Sequence, residues 1–419
     1  MRVNILAGEK MTSIKRMNPD KLSYLIPWWS DYVDSNYNFR TDEPTDGRKV
    51  TAHEIYDKPP YDGILASKTK IESNKKNMRR IMKQGIHDYL NFSGPVFGDC
   101  GAYGYIDEAE PPYSPTKIAD YYHDIGFDYG VSVDHLIVKS VESEKEKRFE
   151  ITLENAEKFL QRHQEKGYEY VPVGAAQGWD TVSYREAAEE LIDMGYDHIA
   201  IGGLTRSPTT TVLDMLNSVH GVLERYDQDI SVHLFGVARL KAIQKLIRLG
   251  VTSFDSASYL RRAWLGAGSN YMMPGDRGYA AIRIPQSDRS PSARKILETG
   301  QVDIDTLREI DRGCMNLMRK YDRGEADIDE VMDAILWYDS MLGDDRDHEE
   351  HYLKTLKDKP WKECQCAICQ NIGVEVIIFR GNNRNRRRGF HNTRVFYNEL
   401  QRILSQEKKK SGQTFLDEY

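Results

Sequence analysis

Eight short apolar runs recur along the first 255 residues of this chain, and they restrict its fold more than any other feature. They are Tyr24-Leu-Ile-Pro-Trp28, Gly63-Ile-Leu-Ala66, Pro95-Val-Phe-Gly98, Tyr129-Gly-Val-Ser-Val133, Tyr170-Val-Pro-Val173, His198-Ile-Ala-Ile201, Ser231-Val-His-Leu-Phe235 and Thr252-Ser-Phe254. Amphipathic helical patterns lie between them, most clearly Pro115 to Ile125, Glu150 to Lys166, Ser183 to Met194, Thr210 to Arg225 and Leu240 to Leu249. Several end at a glycine suited to a left-handed cap: Gly126, Gly167, Gly195 and Gly250. Strands alternating with helices build a parallel sheet, because each crossover has to return along one face. Eight such units predict a closed α/β TIM (β/α)8 barrel. A doubly wound open sheet is the alternative, but no Gly-x-Gly-x-x-Gly follows the first strand.

The repeat stops at residue 255. Residues 1–255 are read as barrel strands 1–8 with their helices. Residues 256–363 are read as a long, mainly helical insertion after strand 8. It holds helical stretches Ile304 to Tyr321 and Ile328 to Leu342 and an acidic loop, Asp344-Asp-Arg-Asp-His-Glu-Glu350. Then come a zinc-binding segment (364–391), the last barrel helix (390–405) and a polar tail (406–419). The zinc expectation rests on Cys364-Gln-Cys366-Ala-Ile-Cys369 and His391, since three thiolates and an imidazole close a tetrahedral shell. A disulfide framework does not fit, because the chain has five cysteines and the other two, Cys100 and Cys314, are far apart. A closed four-ligand shell implies a structural Zn2+.

The formal charge of -7 argues against a generally basic nucleic-acid coat, so any such contact has to come from a local patch, for which residues 380 to 394 are the candidate. No stretch approaches the roughly 18 uninterrupted apolar residues of a membrane-spanning helix. Met1 to Glu9 is too short and mixed for a signal peptide, so a soluble, cytoplasmic protein is expected. Polar residues follow the apolar runs: Asp99 after the third, Asp134-His135 after the fourth, Gln177-Gly178 after the fifth, Gly202-Gly203, Gly236, and Asp255 after the eighth. In a TIM barrel these positions line the working face. Paired carboxylates suit glycosyl transfer, one attacking the anomeric carbon and the other moving protons. A metal-dependent hydrolase would need clustered histidines at strand ends. His198 and His233, placed within apolar runs, read better as hydrogen-bonded core residues. A pure binding module would have lost its carboxylates.

Gly98-Asp-Cys-Gly-Ala-Tyr103, Val173-Gly-Ala-Ala-Gln-Gly178, Ile199-Ala-Ile-Gly-Gly-Leu204, Leu234-Phe-Gly-Val237 and Ser253-Phe-Asp-Ser256, with the Cys-x-Cys-x-x-Cys and its histidine, resemble the motifs of tRNA-guanine transglycosylases. The likeness spans about residues 95 to 256 and 364 to 404. It implies that Asp255 is a nucleophile attacking C1′ and Asp99 the general acid/base. It further implies that Asp134, Gln177, Gly203 and Leu204 read the purine edge while Tyr103 and Phe235 sandwich the ring. Arg261 matches a family arginine near the nucleophile. Cys100-Gly-Ala-Tyr103 stands where the tRNA enzymes usually carry Ser-Gly-Gly-Phe.

The interval before the zinc cysteines is longer, and the Cys369 to His391 spacing shorter, than in the bacterial tRNA enzymes. No archaeal-type RNA-binding module is recognisable. With Ile26-Pro-Trp-Trp-Ser-Asp-Tyr-Val-Asp34 and Ser132-Val-Asp-His-Leu-Ile137, the chain is most similar to the branch that places 7-deazaguanine in DNA. That resemblance implies exchange of guanine in DNA for preQ0, alongside partner proteins of a DNA-modification system; tRNA is the alternative substrate. Where the family docks nucleic acid, Arg384, Arg386, Arg387 and Arg388 are expected to bind phosphate. The acidic insertion would repel phosphates and suits a partner protein or a gating role.

Overall fold

The computed structural model describes residues 14–19, 21–265, 268–343 and 347–417, with side chains through residue 407. Met1 to Glu9, read above as unlike a signal peptide, and Asp344 to Arg346 of the acidic loop lie outside the described residues. The chain clusters into two compact units, Met1–Trp29 with Asp62–Ser256, and Ser30–Tyr61 with Ala257–Tyr419.

In the first unit every apolar run forms a strand. They are β1 (Ser23–Pro27), β2 (Gly63–Ser67), β3 (Val96–Asp99), β4 (Tyr129–Val131), β5 (Val171–Ala176), β6 (His198–Ile201), β7 (Ser231–Leu234) and β8 (Val251–Asp255). All pair in parallel with their sequence neighbours, and β1 closes the ring, with Leu25 opposite both Asp255 of β8 and Gly63 of β2. The interior is filled by Leu25, Leu65, Phe97, Tyr129, Val131, Val171, Val173, Ala175 and Ala200. Apolar side chains of this kind contribute roughly 1.5–3 kcal/mol each when fully buried. The packed lumen leaves polar chemistry to the strand ends.

Helices α1 (Pro115–Ile125), α2 (Lys145–Lys166), α3 (Thr181–Asp193) and α4 (Thr209–Leu223) belong to the same unit. Helix α1 starts with proline at its first turn and buries Ile118, Ala119, Tyr122 and Ile125, a spacing that forms one face. The expected caps Gly126 and Gly167 take φ of 83° and 62°. Helix α2 begins before the expected Glu150 because Arg148 anchors its polar first turns. The Arg148 guanidinium donates to Leu136 O at 3.1 Å and Ile106 O at 2.9 Å and pairs with Glu144 at 2.8 Å.

The second unit contains α5 (Ile304–Arg323), α6 (Ile328–Met341), α7 (Glu349–Asp358) and α8 (Gly381–Asp417). It also takes up residues 30–61, although in sequence they lie within the segment expected to form the barrel; Val33–Asp34 and Lys49–Val50 pair there as a short antiparallel hairpin. Helix α8 starts at Gly381 rather than 390 and continues through the expected polar tail. The early start follows from the arginines of its first turns, which are held by buried partners described below. No described helix is long and apolar enough to cross a membrane.

Candidate active site and metal cluster

Asp255 is the last residue of β8 and is buried. Its Oδ1 accepts from the Gly236 N–H at 2.9 Å and lies 3.3 Å from His233 Nε2. The other imidazole nitrogen, Nδ1, is 2.9 Å from Ser253 Oγ. The ring itself is stacked on Phe97 with centroids 4.7 Å apart. His233 is thus a hydrogen-bonded buried histidine, as expected, but its partner is the strand-end carboxylate. The alternation of β8 puts Ser253 and Asp255 on one face, and the register sets Ser253 opposite His233.

Asp99 ends β3 and accepts from Ser67 Oγ–H at 2.9 Å and from the Gly101 N–H. Burial raises its pKa above the usual carboxylate range. Those two hydrogen bonds pull against the shift, and the charge of Asp255 adds to it. Asp134 is pushed up to about 7, first by burial and then by the charge of Asp99, with the Gln177 hydrogen bond opposing. Asp255 therefore acts on Asp99, and Asp99 on Asp134. The structure brings the three strand-end carboxylates to one mouth. Ser67 was missed in the sequence, although it directly follows the second apolar run.

Gln177 donates Nε2–H to Asp134 Oδ2 at 2.6 Å, and its Oε1 accepts from the Ile137 N–H at 3.4 Å. The Tyr105 hydroxyl fixes the backbone of Asp134 at 3.0 Å. Gly203, with φ of 79°, is required sterically, because a Cβ there would lie 2.8 Å from the Tyr184 hydroxyl and 2.9 Å from Ile137 O. Leu204 is buried beside it. Phe235 meets His233 edge-on at 4.8 Å, whereas Tyr103 is 55% exposed. An edge of donors and acceptors with aromatic groups nearby can hold a planar, polar heterocycle.

The expected phosphate-binding run is corrected by the structure. Arg384, Arg387 and Arg388 are buried in α8, and each guanidinium donates to partners within the protein. Arg384 pairs with Asp42 and lies 2.7 Å from Glu375. Arg387 donates to Asp34 O at 2.7 Å, and Arg388 to Ala263 O at 2.8 Å and Asn385 Oδ1 at 2.6 Å. Arg386 is partly exposed and donates to Tyr32 O at 3.0 Å. A hydrophilic run resembles a solvated loop until its distant partners are known. Arg261, in the second unit, lies 3.9 Å from Asp31.

Cys364, Cys366, Cys369 and His391 converge in the second unit, their ligand atoms all within 4.8 Å of one another. His391 Nδ1 is 3.6 Å from Cys364 Sγ and 3.4 Å from those of Cys366 and Cys369. Its Nε2 is oriented by Met272 O at 2.7 Å, and its ring stacks on Tyr271. This cluster can coordinate a metal ion, and a carbonyl behind the imidazole is a common support for such a ligand.

Residues 44–274 match the family model described as queuine tRNA-ribosyltransferase. The chain is 34% identical to the DNA-guanine transglycosylase of Salmonella montevideo, an alignment covering 92% of this chain and 98% of that protein. The tRNA-guanine(15) transglycosylase of Nanoarchaeum equitans is 29% identical over 44% of each chain. That of Pyrococcus furiosus is 27% identical over 48% of this chain and 34% of its own.

Proposed function

The chain belongs to the tRNA-guanine transglycosylase family, and on that premise we propose that it exchanges guanine in DNA for a 7-deazaguanine base, preQ0. The reading is carried by the three carboxylates gathered at the barrel mouth, where the charge of Asp255 acts on Asp99 and that of Asp99 on Asp134. Similarity to a DNA-guanine transglycosylase along nearly the whole of both chains favours DNA. The guanine must leave the duplex stack to enter such a mouth.

Asp255 then attacks C1′ as the C1′–N9 bond breaks, and guanine departs with a proton supplied by Asp99. The product is an ester between the Asp255 carboxylate and C1′. The incoming 7-deazaguanine loses its ring N–H proton to Asp99 and attacks C1′, freeing Asp255. Two displacements retain the configuration. The raised pKa of Asp99 favours its carrying a proton between the two half-reactions. Asp134, Gln177 and the backbone of Gly203 and Leu204 read the base edge, with Tyr103 and Phe235 on its faces.

The Cys364, Cys366, Cys369 and His391 cluster would hold a structural Zn2+, its four protein ligands leaving no open position for chemistry. The protein works in the cytoplasm with partner proteins of a DNA-modification system. The deciding experiment supplies radiolabelled guanine with DNA or tRNA of matched sequence, with and without candidate partner proteins. Label in DNA, abolished by Asp255→Ala, is expected; label in tRNA alone would reject the DNA assignment.

A further inference from the structure

One cavity of the second unit, about 480 Å³ in volume, is lined by Arg40, Arg289, Arg308, Arg312, Arg319 and Arg380. Its carboxylates are Asp42, Glu43, Asp288 and Asp311. The two buried ones are committed, Asp42 to Arg380 and Arg384, and Asp311 to Arg380 at 3.1 Å. Three of the remaining arginines have acidic neighbours: Arg319 with Glu375 at 2.7 Å, Arg308 with Asp305 at 3.1 Å and Arg289 with Asp288 at 3.8 Å. Arg40 and Arg312 are exposed, and among the described residues no carboxylate pairs with either side chain. Glu43 is exposed at the same rim.

In a chain of net charge -7, this concentration of guanidinium groups is not background. Guanidinium forks match phosphate oxygens in shape as well as charge. We infer that this cavity grips backbone phosphates of the DNA substrate, an assignment that rests on the DNA reading above. Its placement in the sequence supports that substrate. All six arginines fall outside residues 44–274, the part matched by the tRNA-enzyme family model. The DNA-guanine transglycosylase aligns over 92% of the chain, too much to leave out this whole segment. The cavity also supplies the phosphate-binding charge that the buried arginines of α8 cannot.

The test is duplex DNA binding by the full chain across a salt series, measured by fluorescence anisotropy. Arg40→Ala/Arg312→Ala removes two exposed cations that hold no ion pair among the described residues, so thermal melting should not change. The dissociation constant should rise several-fold, and the slope of its logarithm against log salt should fall by about 2, close to one counterion per lost phosphate contact. Arg289→Ala/Arg308→Ala, in the same cavity, should shift the slope in the same direction. If the wild type binds duplex and both double variants keep its slope, the cavity assignment fails alone. A wild type that binds no duplex while labelling tRNA removes the DNA reading and the cavity assignment together.

Discussion

His233 Nε2 faces Oδ1 of Asp255 across 3.3 Å, in a ring clamped by Phe97 and by Ser253. The simplest tautomer accepts from the Ser253 hydroxyl at Nδ1 and donates from Nε2 to the carboxylate. With the Gly236 N–H, it holds one oxygen of Asp255, and in the proposed mechanism the other is the one that attacks C1′.

His233→Ala should therefore lower kcat for base exchange by on the order of 10²-fold, the usual cost of a misplaced reacting group, with KM little changed. His233→Gln, which can still donate, should recover part of the loss. Equal losses in both variants, tracking a fall in melting temperature, would make the histidine a packing residue only.

The raised pKa of Asp134 gives stability a defined pH dependence. A carboxyl whose folded pKa lies near 7, above its usual 3.8, contributes stability that is intact below pH 3.8 and lost as pH rises through about 7. Asp134→Asn cannot ionise and should become more stable than the wild type as pH increases from 5 to 8, measured by urea unfolding. Curves that stay parallel across this range would contradict the shift.

Arg384→Ala would leave Asp42 and Glu375 as buried carboxylates short of a partner, at a cost of about 3–5 kcal/mol. Arg386→Ala, at a partly exposed site, should cost less than about 1 kcal/mol. Urea midpoints distinguish the two. If Arg384→Ala kept its midpoint but lost DNA affinity, the original phosphate-binding expectation would stand.

Removing one ligand of the metal cluster, as in Cys369→Ala, should lower metal content and melting temperature together, because binding and local folding are linked. Metal analysis beside calorimetry checks this. Full stability with lost base exchange would instead point to a metal acting in the chemistry.

The sequence made the barrel legible because strands buried on both faces appear as unbroken apolar runs, and polar residues just beyond them mark the working face. Asp99, Asp134 and Asp255 could be found that way. The partnership of His233 could not, since it depends on register between adjacent strands rather than on anything local. Arg384 and Arg388 were misread for a related reason. A buried guanidinium and a solvated one look alike in sequence, and the partner Asp42 lies 342 positions from Arg384.

That separation bears on the order in which the protein is made. Asp42 is synthesised after only the first barrel strand, yet Arg380 and Arg384 emerge only after every barrel strand has left the ribosome. Domains generally fold as units during synthesis, so the barrel can close first, whereas the hairpin of residues 30–61 must wait in water for the last helix. A message truncated before codon 380 would yield a chain with all eight strands and an aspartate that never meets its arginines.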